Sequence, residues 1–435
     1  MDTALPPGPP LPTPVQTALM TWWQQPFLRA CRRRYGDCFT VHLSGLGTLV
    51  YVTDPAELRT VFTGDATTLH AGEANAPLGP ILGDSSLLLL DESEHLTRRK
   101  QLTPPFHGDA VRSQTEIMAE VAAADVARWP VGRASAVLPR MRAITLEVIL
   151  QTVIGVRDED RLAQLRRALP PLVEIDGMQL LGLLVPRLRR FWPWTRFSRT
   201  REVADALLLD EITHARTDPR LDERTDVLAM LVRSESMSDS QLRDQLITLL
   251  VAGHETTATG LAWTVERLVR HPDVLARARA AADEGDDAYL DALVQESLRI
   301  RPVVPDVARK LTRALDVAGY RLAAGTIVAP GIALVQRDER HYADPASLRP
   351  ERFLDGRTAP YTWLPFGGGV RRCLGATFAS VEMRVVLREV LRRVELEPTG
   401  DRPERARVRH VTLVPHRGGR ATVCSRRAVG VESTR

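Results

Sequence analysis

The stretch Phe366-Gly-Gly-Gly369-Val-Arg371-Arg-Cys373-Leu-Gly375 stands between a loop rich in Pro, Gly and Arg (341–369) and the last long helical pattern of the chain, Gly375–Val394. A cysteine just before a helix N-terminus meets the positive end of the helix dipole and unpaired backbone N–H groups, and both favour its thiolate. Gly369 and Gly375 take side chains away where a flat ligand would approach the backbone. Phe366 can shield the sulfur from water, and Arg371 can reach an anionic group at the ligand's edge. The segment therefore reads as a thiolate loop for a planar metal cofactor. The plain alternative is a glycine-rich turn around an inert buried cysteine. A phosphate-binding loop is excluded, because no Gly-Lys-Ser/Thr follows the glycines.

Working outward, the 435 residues are 44% apolar and 26% charged, a mix that can bury a large core. Four scattered cysteines (Cys31, Cys38, Cys373, Cys424) do not make a disulfide framework. All but Lys100 and Lys310 of the 58 basic residues are arginines, yet a net charge of +4 argues against a nucleic-acid binder. No run reaches the roughly 18 apolar residues of a membrane span, and MDTALPPGPPLPTP lacks the layout of a signal peptide. A cytoplasmic protein with no integral membrane anchor is expected. Prolines make residues 1–14 an extended arm. Cys38–Leu43 and Thr48–Val52 predict a hairpin around Gly45–Gly47. From about Ala110 to Leu290 the apolar spacing is helical, interrupted at Pro170–Trp194 and Thr217–Arg224. A helix of unusual length is predicted from Ser238–Ser240 to about His271, stopped by Pro272. Short strands are predicted at Val307–Thr312, Tyr320–Leu322, Thr326–Ala329, Val408–Val414 and Arg420–Val423. The expectation is a mainly α fold: an arm (1–14), one large helical domain with small peripheral sheets (15–425) and a tail (426–435).

Further motifs fall within this frame. The long helix contains Ala252-Gly253-His254-Glu255-Thr256-Thr257. Glycine in mid-helix costs about 1 kcal/mol relative to Ala, so Gly253 implies close approach of something bulky. An acid beside an alcohol is a plausible proton relay, with His254 read as structural. Glu296-Ser-Leu-Arg299 pairs an acid and a base at i, i+3 on one helix face and exits at Pro302. Pro350-Glu-Arg352-Phe353 follows, and upstream stands His95-Leu-Thr-Arg98-Arg99.

Taken together these segments resemble the cytochrome P450 family over about Leu5–Val423, with a soluble, bacterial, actinobacterial-type flavour. F-x-x-G-x-R-x-C-x-G is similar to its haem-ligand loop, A-G-H-E-T-T to its oxygen-binding helix, E-S-L-R to its K helix, P-E-R-F to the element that follows, and H-x-x-x-R to its C helix. The resemblance implies haem b (iron protoporphyrin IX) with Cys373 as the axial thiolate ligand, whose electron donation favours O–O cleavage. It implies that Phe366, Gly367, Gly375 and Ala252 border the haem, and that His95, Arg99, Arg309 and Arg371 hold its propionates. By the same resemblance Thr256 hydrogen-bonds dioxygen and Glu255 helps deliver protons. Glu296, Arg299 and Arg352 form a buried ion network locking the loop that leads to Cys373.

The implied activity is monooxygenation of a hydrophobic small molecule of fatty acid, terpenoid, steroid or polyketide type by O2. The pocket walls would be Ala76–Leu82, Pro171–Leu184, Leu249–Ala252, Val303–Val307 and Val411–Val414, all predominantly apolar. The Leu180–Val185 run with Phe191, Trp192 and Trp194 could form a mobile lid or graze a membrane surface. The haem domain fills the chain, so electrons are expected from a separate ferredoxin with its ferredoxin reductase. That partner would dock on Arg98, Arg99, Lys100, Arg371 and Arg372 around the cysteine of a monomer. A peroxide-driven oxygenase, a haem-thiolate isomerase and a non-catalytic haem sensor or carrier are the alternatives; Glu255-Thr256 disfavours them.

Overall fold

The helix around which the others are arranged starts at a capping box: Ser238 Oγ accepts from the Gln241 N–H (3.3 Å) while the Gln241 amide oxygen accepts from the Ser238 N–H (3.1 Å). It runs Asp239–Leu268, 30 residues or roughly 45 Å. From Leu242 onward most of its residues are buried, as expected of a central helix surrounded by others. The computed structural model describes residues 5–173, 194–354 and 358–428. Among them the helices of seven or more residues are α1 (Thr13–Tyr35), α2 (Pro55–Thr63), α3 (Glu92–Leu102), α4 (Thr115–Val126), α5 (Leu138–Ile149), α6 (Glu159–Ala168), α7 (Trp194–Thr217), α8 (Val227–Arg233), α9 (Asp239–Leu268), α10 (Pro272–Glu284), α11 (Asp287–Ile300) and α12 (Ala376–Arg393). Helix α9 packs on α5, α7, α11 and α12, and α12 packs on α4.

Small sheets flank this helical mass. The expected hairpin forms from β1 (Cys38–Leu43) and β2 (Gly47–Val52), with Cys38 opposite Val52 and Leu43 opposite Gly47. It belongs to a five-stranded sheet of order β1-β2-β8-β5-β3, with β3 at Leu69–His70, β5 at Arg309–Leu311 and β8 at Ile327–Pro330. Strands β2 and β8 are parallel, a long-range pairing that nothing local in the sequence announces. Strand β4 (Ala134–Ala136) joins β9 (Val394–Pro398) and β12 (Arg420–Arg426), and β6 (Leu315–Val317) pairs with β7 (Tyr320–Leu322). The hairpin of β10 (Ala406–Arg409) and β11 (Thr412–Pro415) is tied to α9 by Trp263, whose indole N–H donates to the Leu413 carbonyl (2.7 Å).

The mainly α architecture is as expected, with two corrections. The proline-rich arm does not stay extended to residue 14: α1 begins at Thr13, capped by Pro12 with Pro14 in its first turn, where a proline costs no hydrogen bond. Its weak amphipathicity and its internal Pro26, beside the kink at Trp23, hid this helix from a reading by periodicity. The candidate lid residues Leu180–Val185, Phe191 and Trp192 lie outside the described residues. Trp194 is a buried core residue, packed edge-on against Phe197 at 5.1 Å. No helix among the described residues is long and apolar enough to cross a membrane.

Candidate active site

The cysteine loop is held by its own backbone. Gly367 N–H donates to Leu364 O (2.9 Å), Cys373 N–H to Phe366 O (2.8 Å) and Arg372 N–H to Gly369 O (3.1 Å). Trp363, wedged between Phe353 and Phe366 at 6.0 Å from each, donates its indole N–H to Gln295 O (3.1 Å). Gly367 and Gly369 both have positive φ, +66° and +62°. At Gly369 a Cβ would stand 1.8 Å from the Phe62 carbonyl oxygen of α2, so this glycine is required by loop packing rather than by an approaching ligand. Gly375, by contrast, has nothing within 4 Å of a notional Cβ.

Cys373 is exposed, yet enough protein atoms crowd around it to desolvate its thiol. Burial pushes its thiol up, against the opposing pulls of the Gly375 N–H and of Arg372 and Arg99. The expectation that the helix end alone would favour thiolate is thus reversed: in this setting desolvation outweighs it, and a coordinated cation is what deprotonates such a thiol.

Beside the loop, α3 and β5 bring cations together. His95 is 3% exposed, and burial, with the guanidiniums of Arg371, Arg99 and Arg309 nearby, holds it down at about 3, so it is neutral. Arg309 is pushed down to about 10 by burial and then by Arg371, with its guanidinium 5.8 Å from the Phe62 ring centroid. Arg371 donates to Leu90 O (2.6 Å) and pairs with Asp91, and Arg99 donates to Arg372 O (2.7 Å). Asp91 is the acid this neighbourhood supplies. It is already committed to the N–H groups of Ala71, Gly72 and Glu73. Arg98 is buried, with Nε and one terminal nitrogen lacking any partner. The expected docking face shrinks accordingly: Arg98 and Arg371 turn inward, Arg99 is half-buried, and Lys100 and Arg372 stay exposed.

In the middle of α9, Ala252 is exposed while His254 and Glu255 are buried, so the helix faces an open space inside the molecule at that turn. Thr256, one turn on along the same face, is partly exposed and donates to the Ala252 carbonyl (2.5 Å). Gly253 does not face that space; its notional Cβ would stand 3.1 Å from Ile149 of α5, so it serves helix packing. Glu255 turns to the α5 side, where Arg142 donates to it at 2.7 Å and Arg409 of β10 lies 3.7 Å away. Both arginines escaped the sequence reading, because no short-range spacing connects them to Glu255. His254 has Thr145 Oγ1 2.9 Å from its Nδ1, and burial followed by Arg142 pushes it down to about 4.

His254 yields a signed expectation. Between its folded value near 4 and the ordinary 6.5, the unfolded chain binds a proton that the folded protein refuses. Stability therefore falls as pH drops through that window, by at most about 3 kcal/mol. Urea unfolding at neutral pH and near pH 4 should show the loss, and His254→Gln should flatten it. An unchanged slope in the variant would remove His254 as its source.

Glu296, Arg299 and Arg352 come together in one network. Glu296 and Arg299, both 0% exposed, make a two-pronged pair at 2.6 and 2.9 Å, and Arg352 Nε reaches Glu296 at 3.2 Å. Arg349 N–H adds a bond to Glu296 (3.0 Å), and Arg299 also donates to Gln336 O (2.9 Å) and Pro345 O (3.0 Å). Gln336, unforeseen, accepts from Leu364 N–H (2.6 Å) and donates to Leu298 O (3.1 Å), tying the end of α11 to the approach to the cysteine loop.

These residues fit a haem. Cys373 would supply the iron with its thiolate, the exposed turn at Ala252 leaves space along α9, and Arg99, Arg309 and Arg371 gather around His95 with Asp91 paired to Arg371, so two propionates would meet cations there.

Comparison with known proteins agrees. The family model described as Cytochrome P450 matches residues 6–421. The chain is 54% identical over 440 residues to cytochrome P450 135B1 of Mycobacterium tuberculosis (strain ATCC 25618 / H37Rv), covering 99% of this chain and 93% of that one. It is 40% identical over 437 residues to cytochrome P450 135A1 of the same strain, with 99% and 97% coverage. Among solved structures, retinoic acid-bound cyanobacterial CYP120A1 superimposes with a TM-score of 0.83 at 24% identity over 97% of this chain and 99% of that one. The haem domain of cytochrome P450DA does so with the same score and identity over 98% and 99%.

Proposed function

The chain belongs to the cytochrome P450 family of haem-thiolate monooxygenases, and from this premise we propose that it inserts one oxygen atom of O2 into an apolar small molecule, with Cys373 as the ligand of the haem iron. The observation that carries the site assignment is an exposed Cys373, crowded by protein atoms, near the cations Arg99, Arg309 and Arg371 around His95, of which Asp91 pairs with Arg371. His95, Arg99, Arg309 and Arg371 hold the propionates; Phe366, Gly367, Gly375 and Ala252 border the ring. Bound haem supplies the redox chemistry that activates dioxygen. The protein's own residues bind, orient and move protons.

Thr256 offers its hydroxyl to the open space at Ala252, where its oxygen lone pairs stay free to accept a hydrogen bond while its proton rests on the Ala252 carbonyl. Arg142 holds the Glu255 carboxylate turned from that space, so proton delivery takes a swing of Glu255 off Arg142. Leu78, Leu88, Leu249, Val251 and Phe366 are partly buried apolar side chains along the core margin, which favours a hydrophobic substrate of the fatty acid, terpenoid, steroid or polyketide kind. Exposed Lys100 and Arg372 suit an acidic ferredoxin served by its reductase.

The test is turnover of an apolar substrate panel with ferredoxin and reductase, preceded by the carbon monoxide difference spectrum of the reduced protein. Product with a red-shifted thiolate band is the expected result; absence of the band in haem-loaded protein overturns the ligand assignment. In Thr256→Ala the product formed per electron pair should fall on the order of tenfold, with hydrogen peroxide appearing instead. Unchanged coupling would exclude Thr256 from proton delivery.

A further inference from the structure

The first turn of α3 meets the end of β3 through one imidazole. His70 closes β3 with its side chain 12% exposed, and both of its ring nitrogens face carboxylate oxygens: Nδ1 lies 2.9 Å from Glu73 Oε1 and Nε2 lies 3.0 Å from Glu92 Oε1. Asp91 Oδ2 stands further off, 3.6 Å from Nδ1. An ionised carboxylate only accepts, so each nitrogen must carry a hydrogen, and a ring with both is an imidazolium. A neutral ring would aim one lone pair at an acid. Glu92 reaches this place from a backbone with φ +48°, a left-handed conformation that a non-glycine residue keeps only where its surroundings hold it.

The other charges on the elements that meet here have partners of their own. Lys310 of β5, opposite His70 in the strand pairing, is drawn to Glu73 (3.1 Å). Arg309 lies against the Phe62 ring, Arg313 pairs with Asp65, and Arg371 pairs with Asp91. Burial pulls the imidazole down, but Glu73, Asp91 and Glu92 outweigh it and raise it above the usual 6.5. Asp91 connects this cluster to the cysteine loop. Its Oδ1 accepts from Arg371 and from the N–H groups of Ala71 and Gly72, while its Oδ2 accepts from the Glu73 N–H and faces His70. Those three N–H groups open the short helix Ala71–Asn75, which His70 precedes. Exposed ion pairs contribute little one by one. Here two acids close on opposite ends of one ring, and one of them comes from 22 positions away.

We propose that His70 is a charged positioning residue: as an imidazolium it clasps β3 to the start of α3 and steadies Asp91, and Asp91 in turn sets Arg371 for a haem propionate. The inference rests on the haem reading of Cys373 and Arg371. The clasp has a sign in pH. Its charge is kept at and below the usual 6.5 and is given up as pH climbs through the raised folded value. Above that value one nitrogen turns from donor to acceptor and faces an acid with no proton between them, and the hold on Asp91 slackens.

The test reads haem retention, as transfer from the loaded protein to excess apomyoglobin, and the imidazole proton signals of the apoprotein. The parent should lose haem about fivefold faster at about pH 9 than at about pH 6.5. His70→Gln should lose it at the fast rate at both, and His70→Lys, which keeps a charge to about pH 10, at the slow rate at both. In the apoprotein the His70 signal, identified by its absence from His70→Gln, should titrate above 6.5, and Glu92→Gln should bring the midpoint down. The proposal falls if His70→Gln holds haem as firmly as the parent at the lower pH, if parent and His70→Gln share one pH dependence, or if the signal titrates at or below 6.5. The haem reading fails differently, as loaded protein without the thiolate band; that outcome overturns the role of Arg371, while the apoprotein titration still reports the clasp.

Discussion

Replacing Cys373 with Ala removes the thiolate band of the reduced, carbon monoxide-treated protein and abolishes product formation, while the fold persists. The effect is large because the other cysteines cannot substitute. Cys31 is 3% exposed in the apolar cluster of α1, β1 and β2, and Cys38 packs against the separate cluster of β2 and α2, so both are enclosed in other parts of the fold. Cys424 donates weakly to Thr422 O (3.8 Å) from strand β12, far in sequence from the loop and in a sheet of its own with β4 and β9. The fold persists because the loop's geometry rests on the Phe366 carbonyl, Trp363 and the Gly369–Phe62 contact rather than on the sulfur. Two readouts separate ligand loss from cofactor loss. Haem content, expected to fall only in part while the cations around His95 remain, is compared with the band, expected to vanish. Ala at Cys31, Cys38 or Cys424 should leave the band in place, and a band surviving in Cys373→Ala would assign the ligand elsewhere.

The contrast between what the chain announces and what only its folding creates follows from the range of each interaction. Glu296 and Arg299 sit one helical turn apart, and Cys373 sits three residues ahead of the helix it precedes, so spacing along the chain already carries their geometry. The length of α9 was legible because both of its ends have local chemistry, the Ser238–Gln241 box and Pro272. Arg142 and Glu255 are 113 positions apart, and Gln336 meets Leu364 across 28, so neither could be read from spacing. The glycines show the same limit in another form. Gly253 and Gly369 stand out in the sequence, but whether a missing side chain makes room for a ligand or for Ile149 and Phe62 depends on a neighbour that the chain does not name. The run Arg98-Arg99-Lys100 resembles a solvated basic face, yet the helix turns Arg98 inward, half-buries Arg99 and leaves Lys100 outside.

Glu296→Gln should destabilise the protein by about 3–5 kcal/mol and release haem, because it leaves Arg299 as a fully buried cation without its counter-charge. The size follows from the surroundings. Arg299 is 0% exposed, and its remaining partners, the carbonyls of Gln336 and Pro345 and the Tyr342 ring at 4.7 Å, offer dipoles but no charge. Glu296 moreover accepts from Arg349 N–H and from Arg352, so one substitution loosens the Pro350–Phe353 turn as well as α11. Arg352→Gln should cost less, since its side chain is 13% exposed and water can take up the slack. Loss of haem follows through Gln336, which is bonded both to the end of α11 and to Leu364 just ahead of the cysteine loop, so slack at Arg299 reaches Phe366 and Cys373. Urea unfolding of the apo and haem-loaded forms separates the two effects. A structural lock predicts loss in both forms, greater in the loaded one. If Glu296→Gln unfolds within about 1 kcal/mol of the parent, the pair is not holding the core. A parallel Glu296→Leu/Arg299→Leu double variant then tests the charge argument itself. Removing both partners leaves no unpaired ion, so it should recover part of the stability that Glu296→Gln loses.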